Sequence, residues 1–161
     1  MLIYTAENES VIFMSSSVNT TNHRPESWLI PCSPSIYDVE GAFEEYGSII
    51  WHQDCNISAG DYAYIYVTAP VKEIRYKCLV AAVNIPCDNE EDDGYVLNAA
   101  FCSRSHRRYM ELKLIEEYSN PFLSYQMLLR NGLSSPIRSQ RRAAGPLLDY
   151  IITSCSASDS H

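Results

Sequence analysis

Asp61-Tyr62-Ala63-Tyr64-Ile65-Tyr66-Val67-Thr68-Ala69-Pro70 decides the fold class of this 161-residue chain. Tyr62, Tyr64, Tyr66 and Thr68 fall on one side of the run, and Ala63, Ile65 and Val67 on the other. A period of two in β-branched and aromatic residues specifies a strand with two differently used faces. Small aliphatics suit a tight core, and three tyrosines suit a surface that stacks on something flat. After Pro70 the pattern resumes from Glu73 to Val83, with Ile74, Tyr76, Cys78 and Val80 opposite Arg75, Lys77 and Leu79. The two runs predict a hairpin.

Before the hairpin, Ser27 to Cys32 reads as a buried strand ended by Pro31 and Pro34. A helix follows, with Ser35 as its cap, Asp38 three residues on and Gly47 just beyond its end. Ile49 to Gln53 is a short strand carrying Trp51. After the hairpin, Asp88 to Gly94 is an acidic, solvated loop, and Tyr95 to Phe101 adds an edge strand. Tyr109 to Tyr118 alternates as a further strand. Asn120-Pro121 starts a helix that Gly132 stops, Ser134 to Arg142 is a basic loop, and Pro146 begins a last helix. Leu147, Leu148, Ile151 and Ile152 share one face of that helix. The central strands follow one another too closely for helical crossovers. The expectation is therefore an α+β fold: a small mixed, mainly antiparallel β-barrel with inserted and flanking helices. Residues 27–153 form the domain, 1–26 a weakly structured extension and 154–161 a tail.

The net charge of −8 disfavours a polyanionic partner, but the charge is unevenly spread. Residues 104–142 hold eight of the twelve basic residues and three acids, a balance of +5 that leaves −13 on the remainder. A local basic face on an acidic chain is thus allowed. Without an apolar run of about 18–20 residues or a basic and then apolar N-terminus, a cytoplasmic protein is expected. In that compartment the six cysteines stay as thiols. His52-x2-Cys55 with Cys102-x3-His106 is the one metal-like pattern. Its ligand pairs are loose for tetrahedral zinc, so neither metal nor other cofactor is expected.

The ordered set Ser27-Trp28-Leu29-Ile30-Pro31-Cys32-Ser33-Pro34, Tyr37-Asp38, Gly41-Ala42-Phe43, Ile50-Trp51-His52-Gln53, Gly60-Asp61, Tyr64-Ile65-Tyr66-Val67, Ala69-Pro70 and Ile74-Arg75-Tyr76-Lys77-Cys78 resembles the EVE-type domains of the PUA-like superfamily. Those are small β-barrels related to YTH and to modified-base-reading domains, and the resemblance covers roughly residues 27–153. It implies a nucleic-acid-binding module, reading a modified nucleobase flipped into an aromatic pocket of a PUA-like barrel. Trp51 and Tyr66 would be the stacking walls, with Tyr37 and Tyr64 in the same pocket. Ser33, Thr68 and Ala69 would border the base edge, and Arg138, Arg141 and Arg142 would meet the phosphates. The partners implied are DNA or RNA carrying a modified base, and a separate effector protein.

The residues themselves leave other readings. Asp38, His52 and Cys55 offer acid, base and nucleophile, yet no spacing links them, and GxSxG, P-loop and GxGxxG motifs are all absent. No enzyme is therefore expected. The alternative is a small-metabolite or protein-interaction module on the same barrel, since fold does not fix function.

Overall fold

The structure is a computed structural model that describes residues 23–86, 95 and 108–158. The acidic loop, the edge strand beyond Tyr95, Cys102, His106 and most of the N-terminal extension lie outside these residues. The predicted hairpin forms as β3 (Tyr62–Val67) and β4 (Glu73–Pro86), antiparallel across a turn whose Ala69–Pro70 peptide is cis. Around it stand β1 (Ser27–Cys32), β2 (Ser48–Gln53), β5 (Arg108–Glu117) and β6 (Arg141–Ala143). They make one curled six-stranded sheet in the order β2-β5-β4-β3-β1-β6.

Four of its five pairings are antiparallel, as expected, but β1 and β3 run parallel from Ser27↔Tyr62 to Cys32↔Val67. A parallel pair needs a long crossover. Here it consists of α1 (Val39–Tyr46), the distant edge strand β2 and the loop to Asp61. The arginines at 141 and 142, expected in a loop, belong to edge strand β6 and pair with Leu29 and Trp28.

Both faces of β3 are buried. Ala63, Ile65 and Val67 join the core inside the curl with Ile30, Cys78, Leu112 and Phe43 of α1. Tyr64 and Tyr66 join a second core with Leu123, Leu128, Leu147 and Ile151. The tyrosine face is therefore roofed by C-terminal helices. A bulge at Arg75 explains why Ile74 departs from the expected alternation. Ile65 pairs with Tyr76 but Tyr66 with Ile74, so one extra residue in β4 turns Ile74 to the helical side while Tyr76 stays inside.

Helix ends differ from the expectation for local reasons. Ser33 O accepts from the N–H groups of Ile36 and Tyr37, forming a turn where the helix was to begin. Asp38 is the actual cap, accepting from Gly41 N at 3.1 Å, and Gly47 ends α1 at φ 69°. The helix expected from Pro121 is interrupted. Asn120 closes a 3-10 turn over Pro121–Leu123, and Ser124 then caps α2 (Tyr125–Arg130). The last helix, α3 (Gly145–Ser158), outruns its predicted end. It buries Leu147, Ile151 and Cys155 and leaves Ile152 exposed, a narrower stripe than expected.

Asp61, 1 % exposed, ties the start of β3 to its surroundings. One carboxylate oxygen accepts from Glu26 N (3.0 Å) and His23 Nε2 (2.9 Å). The other accepts from Trp28 Nε1 (2.9 Å) and Ser58 N (3.0 Å). Burial pushes this carboxyl up, but the Glu26 and Ser58 N–H groups, Trp28 and His23 outweigh it, holding the pKa below the ordinary value. A depressed folded pKa means the contribution is complete above the unfolded value of about 3.9 and is lost as pH falls through the folded one. Asp61→Ala should destabilise the fold at pH 7, leaving the buried Trp28 Nε1 and Ser58 N donors without acceptors at about 1–3 kcal/mol each, and weaken the loss of stability below about pH 4. Urea unfolding at pH 7, 5 and 3 checks both, and an unchanged acid limb would contradict the assignment.

Candidate nucleic-acid interface

Trp51 lies near the end of β2, half-buried against the inner core. Tyr37 meets it edge-on, with ring centroids 5.1 Å apart at 82°. The His52 ring lies nearly parallel to the indole at 5.4 Å, and His52 Nε2 is 3.3 Å from an Asp54 carboxylate oxygen. Trp51 Nε1 is buried with no hydrogen-bond partner, the one such side-chain atom among the described residues. An indole N–H is a donor only, and here it is left unsatisfied inside the protein.

Two buried glutamines organise the backbone around that ring. Gln53 donates to the carbonyls of Cys55 (3.2 Å) and Ile57 (3.3 Å) and accepts from Asn84 N (3.0 Å). Gln140 approaches from the segment before β6, donating to His52 O at 2.7 Å and accepting from Asp54 N at 2.9 Å. The Cys55 thiol completes the contact by donating to Gln140 O at 3.3 Å.

The basic side chains near this end differ in their commitments. Arg138 is exposed, with no partner among the described residues. Arg141 binds Ser135 through two nitrogens, to Oγ at 2.8 Å and to the carbonyl at 2.9 Å. Arg142 forms an exposed pair with Glu26 at 2.9 Å, of little energetic worth. Arg108, opposite Gln53 in the sheet register, donates to Asn84 Oδ1 at 2.8 Å. The sequence reading did not single out Arg108 or Gln140. The +5 segment contained both, but only the strand register, for Arg108, and the hydrogen bonds to His52 and Asp54, for Gln140, show which members stand at the β2 exit.

The implied pocket residues are dispersed. Trp51 and Tyr37 come together on the inner side of the sheet. Tyr64 and Tyr66 lie on the opposite side, packed beneath α2 and α3 and so not facing Trp51. Thr68 N donates to Cys32 O at 2.9 Å, so Thr68 and exposed Ala69 stand at the same end of the sheet as Ser33, the residue after Cys32. They stand where β1 and β3 finish, whereas β2 runs the other way and finishes at Gln53. Of the acid, base and nucleophile set, Asp38 caps α1, and burial followed by the Asp54 charge pushes the Cys55 thiol up. No group of metal ligands occurs among the described residues. No described helix is long and apolar enough to cross a membrane.

No protein-family model matches the chain, and no curated protein matches it in sequence. Solved structures do share its fold. An ASCH protein from Zymomonas mobilis superposes with a TM-score of 0.57 at 10 % identity, over 80 % of this chain and 94 % of that one. A protein from Agrobacterium tumefaciens gives 0.55 at 16 % identity, over 80 % and 92 %. One from Pseudomonas syringae gives 0.55 at 12 % identity, over 79 % and 97 %. The chain therefore shares the ASCH/PUA-like fold, as expected of its architecture, and the likeness does not single out EVE-type domains.

Roofed on one side and backed by the sheet on the other, Tyr66 behaves as core. Tyr66→Ala should lower unfolding free energy by about 3–5 kcal/mol, the cost of truncating a buried aromatic. Chemical denaturation checks this, and a cost below about 1 kcal/mol would mean that the helices leave the tyrosine face open.

Proposed function

We propose that this chain is a nucleic-acid-binding module that receives a nucleobase at the Trp51–Tyr37 corner, without catalysis of its own. The observation that carries the reading is Trp51: a half-buried ring with an unpaired N–H donor, beside a basic segment on an otherwise acidic chain. Bases of every kind offer a π-face and ring or exocyclic acceptors, which suit an indole. Arg138 and Arg108 would meet phosphate oxygens, and Arg142 would do so by exchanging Glu26 for phosphate. Arg141 is a lesser contact because Ser135 already occupies its guanidinium. The ASCH-like fold and the EVE resemblance support this reading, and the EVE resemblance extends it to a modified base. DNA or RNA, and a separate effector protein, are the partners it calls for.

Fluorescence titration with short single- and double-stranded DNA and RNA, plain and base-methylated or hydroxymethylated, tests the reading at two salt concentrations. Binding should fall as salt rises, with a log–log slope of about −0.7 per neutralised phosphate on a single strand. A folded Trp51→Ala variant should lose about 1–3 kcal/mol. Salt-independent binding, as in an apolar metabolite pocket, or no binding at low salt, would sink it.

A further inference from the structure

The basic stretch from Ser134 to Arg142 and the Trp51 strand lie at opposite edges of the sheet order, since β2 and β6 are its two terminal strands. Strand pairing therefore does nothing to hold Arg138 near Trp51. What joins them is one side chain 5 % exposed, Gln140, whose amide spans both hydrogen-bonding groups of the β2 exit. Its nitrogen takes the His52 carbonyl, its oxygen takes the Asp54 N–H, and its own carbonyl receives the Cys55 thiol. These three contacts bridge 85 to 88 residues of chain. A primary amide is the side chain that offers donor and acceptor side by side, which is what two backbone groups facing the same way require.

We infer that Gln140 is a positioning residue for the proposed site: it fastens the arginine-bearing segment to the strand end that carries Trp51, so that base and phosphate contacts act together. The inference rests on the nucleic-acid reading. It adds that the phosphate contribution of Arg138 depends on a residue that itself touches no ligand. Gln53 supports the same exit from beneath, through Cys55 and Ile57, so the β2 side of the joint stays formed when Gln140 is changed.

The test uses Gln140→Met, which keeps length and volume and removes both amide contacts, alone and combined with Arg138→Ala. In a single-stranded oligonucleotide titration, Gln140→Met should weaken binding about tenfold, near the typical coupling between interacting sites. Its salt slope should become shallower by about 0.7, the loss of one phosphate contact on a single strand. Arg138→Ala should do the same alone and add little in the Gln140→Met background. Additive losses, or an unchanged slope, would overturn the inference while leaving the reading intact. Absence of wild-type binding at low salt would overturn both. Should Gln140→Met fail to fold, Gln140→Glu keeps the acceptor for Asp54 N–H and sets an anion against the His52 carbonyl. Hydrogen exchange at Asp54 should then stay slow while the slope still falls, and a slope equal to wild type would count against the inference.

Discussion

Everything in this molecule depends on β3 being buried on both faces. A strand covered on one face can offer the other to a ligand; one covered on both is committed to the core. Ala63, Ile65 and Val67 fill the inside of the curl, and Tyr64 and Tyr66 carry the weight of α2 and α3 outside it. The Arg75 bulge belongs to the same arrangement, because without the extra residue Ile74 would face inward and leave Tyr66 without an aliphatic neighbour across the pair. Two cores on one strand also explain why the short C-terminal helices hold their places. Each has a wall of tyrosine and leucine to bury against, and packing of this kind supplies most helical stability in proteins.

Polar side chains complete what the apolar ones begin. The sheet has edges at β2 and β6, and open edges cost specificity unless covered or paired. Gln140 joins the exit of β2 to the entry of β6 by side-chain hydrogen bonds where no ladder runs. Asp61 does comparable work at the start of β3, gathering the segment before β1, the β1 tryptophan and the Ser58 turn around one carboxylate. Both groups are buried and fully engaged, the condition under which buried polarity specifies a structure rather than weakening it.

Much of this was legible in the residues. Period-two alternation located β3 and β5 to within about one residue at each end and β4 to within about three, and Gly47 marked the end of α1, because these signals are local. The parallel β1–β3 pairing was not legible, since strand order depends on which distant faces bury each other. Nor was the burial of the tyrosine face. Alternation says that Tyr64 and Tyr66 share a side, but what covers that side arrives some sixty residues later. The same limit split the candidate site. Trp51 and Tyr37 met, Ser33 and Thr68 ended at the far end of β1 and β3, and Tyr64 and Tyr66 went to the other core. Gln140 carried no motif at all, and its meaning lies wholly in three contacts across the chain.

With the tyrosines withdrawn, the proposed interface rests on Trp51 and the cations around the β2 exit, on the inner side of the curl and at its rim. The two tryptophans make this directly measurable, because Trp28 gives its indole N–H to Asp61 while that of Trp51 is unpaired. Their indole resonances should be followed by two-dimensional NMR during titration with a short single-stranded oligonucleotide at low salt. The account predicts that the Trp51 indole signal moves with the backbone amides of His52, Arg108 and Arg138, while the Trp28 signal and the amides of Tyr64 and Tyr66 stay in place. A stationary Trp51 signal alongside shifts on the tyrosine and helix side would contradict it.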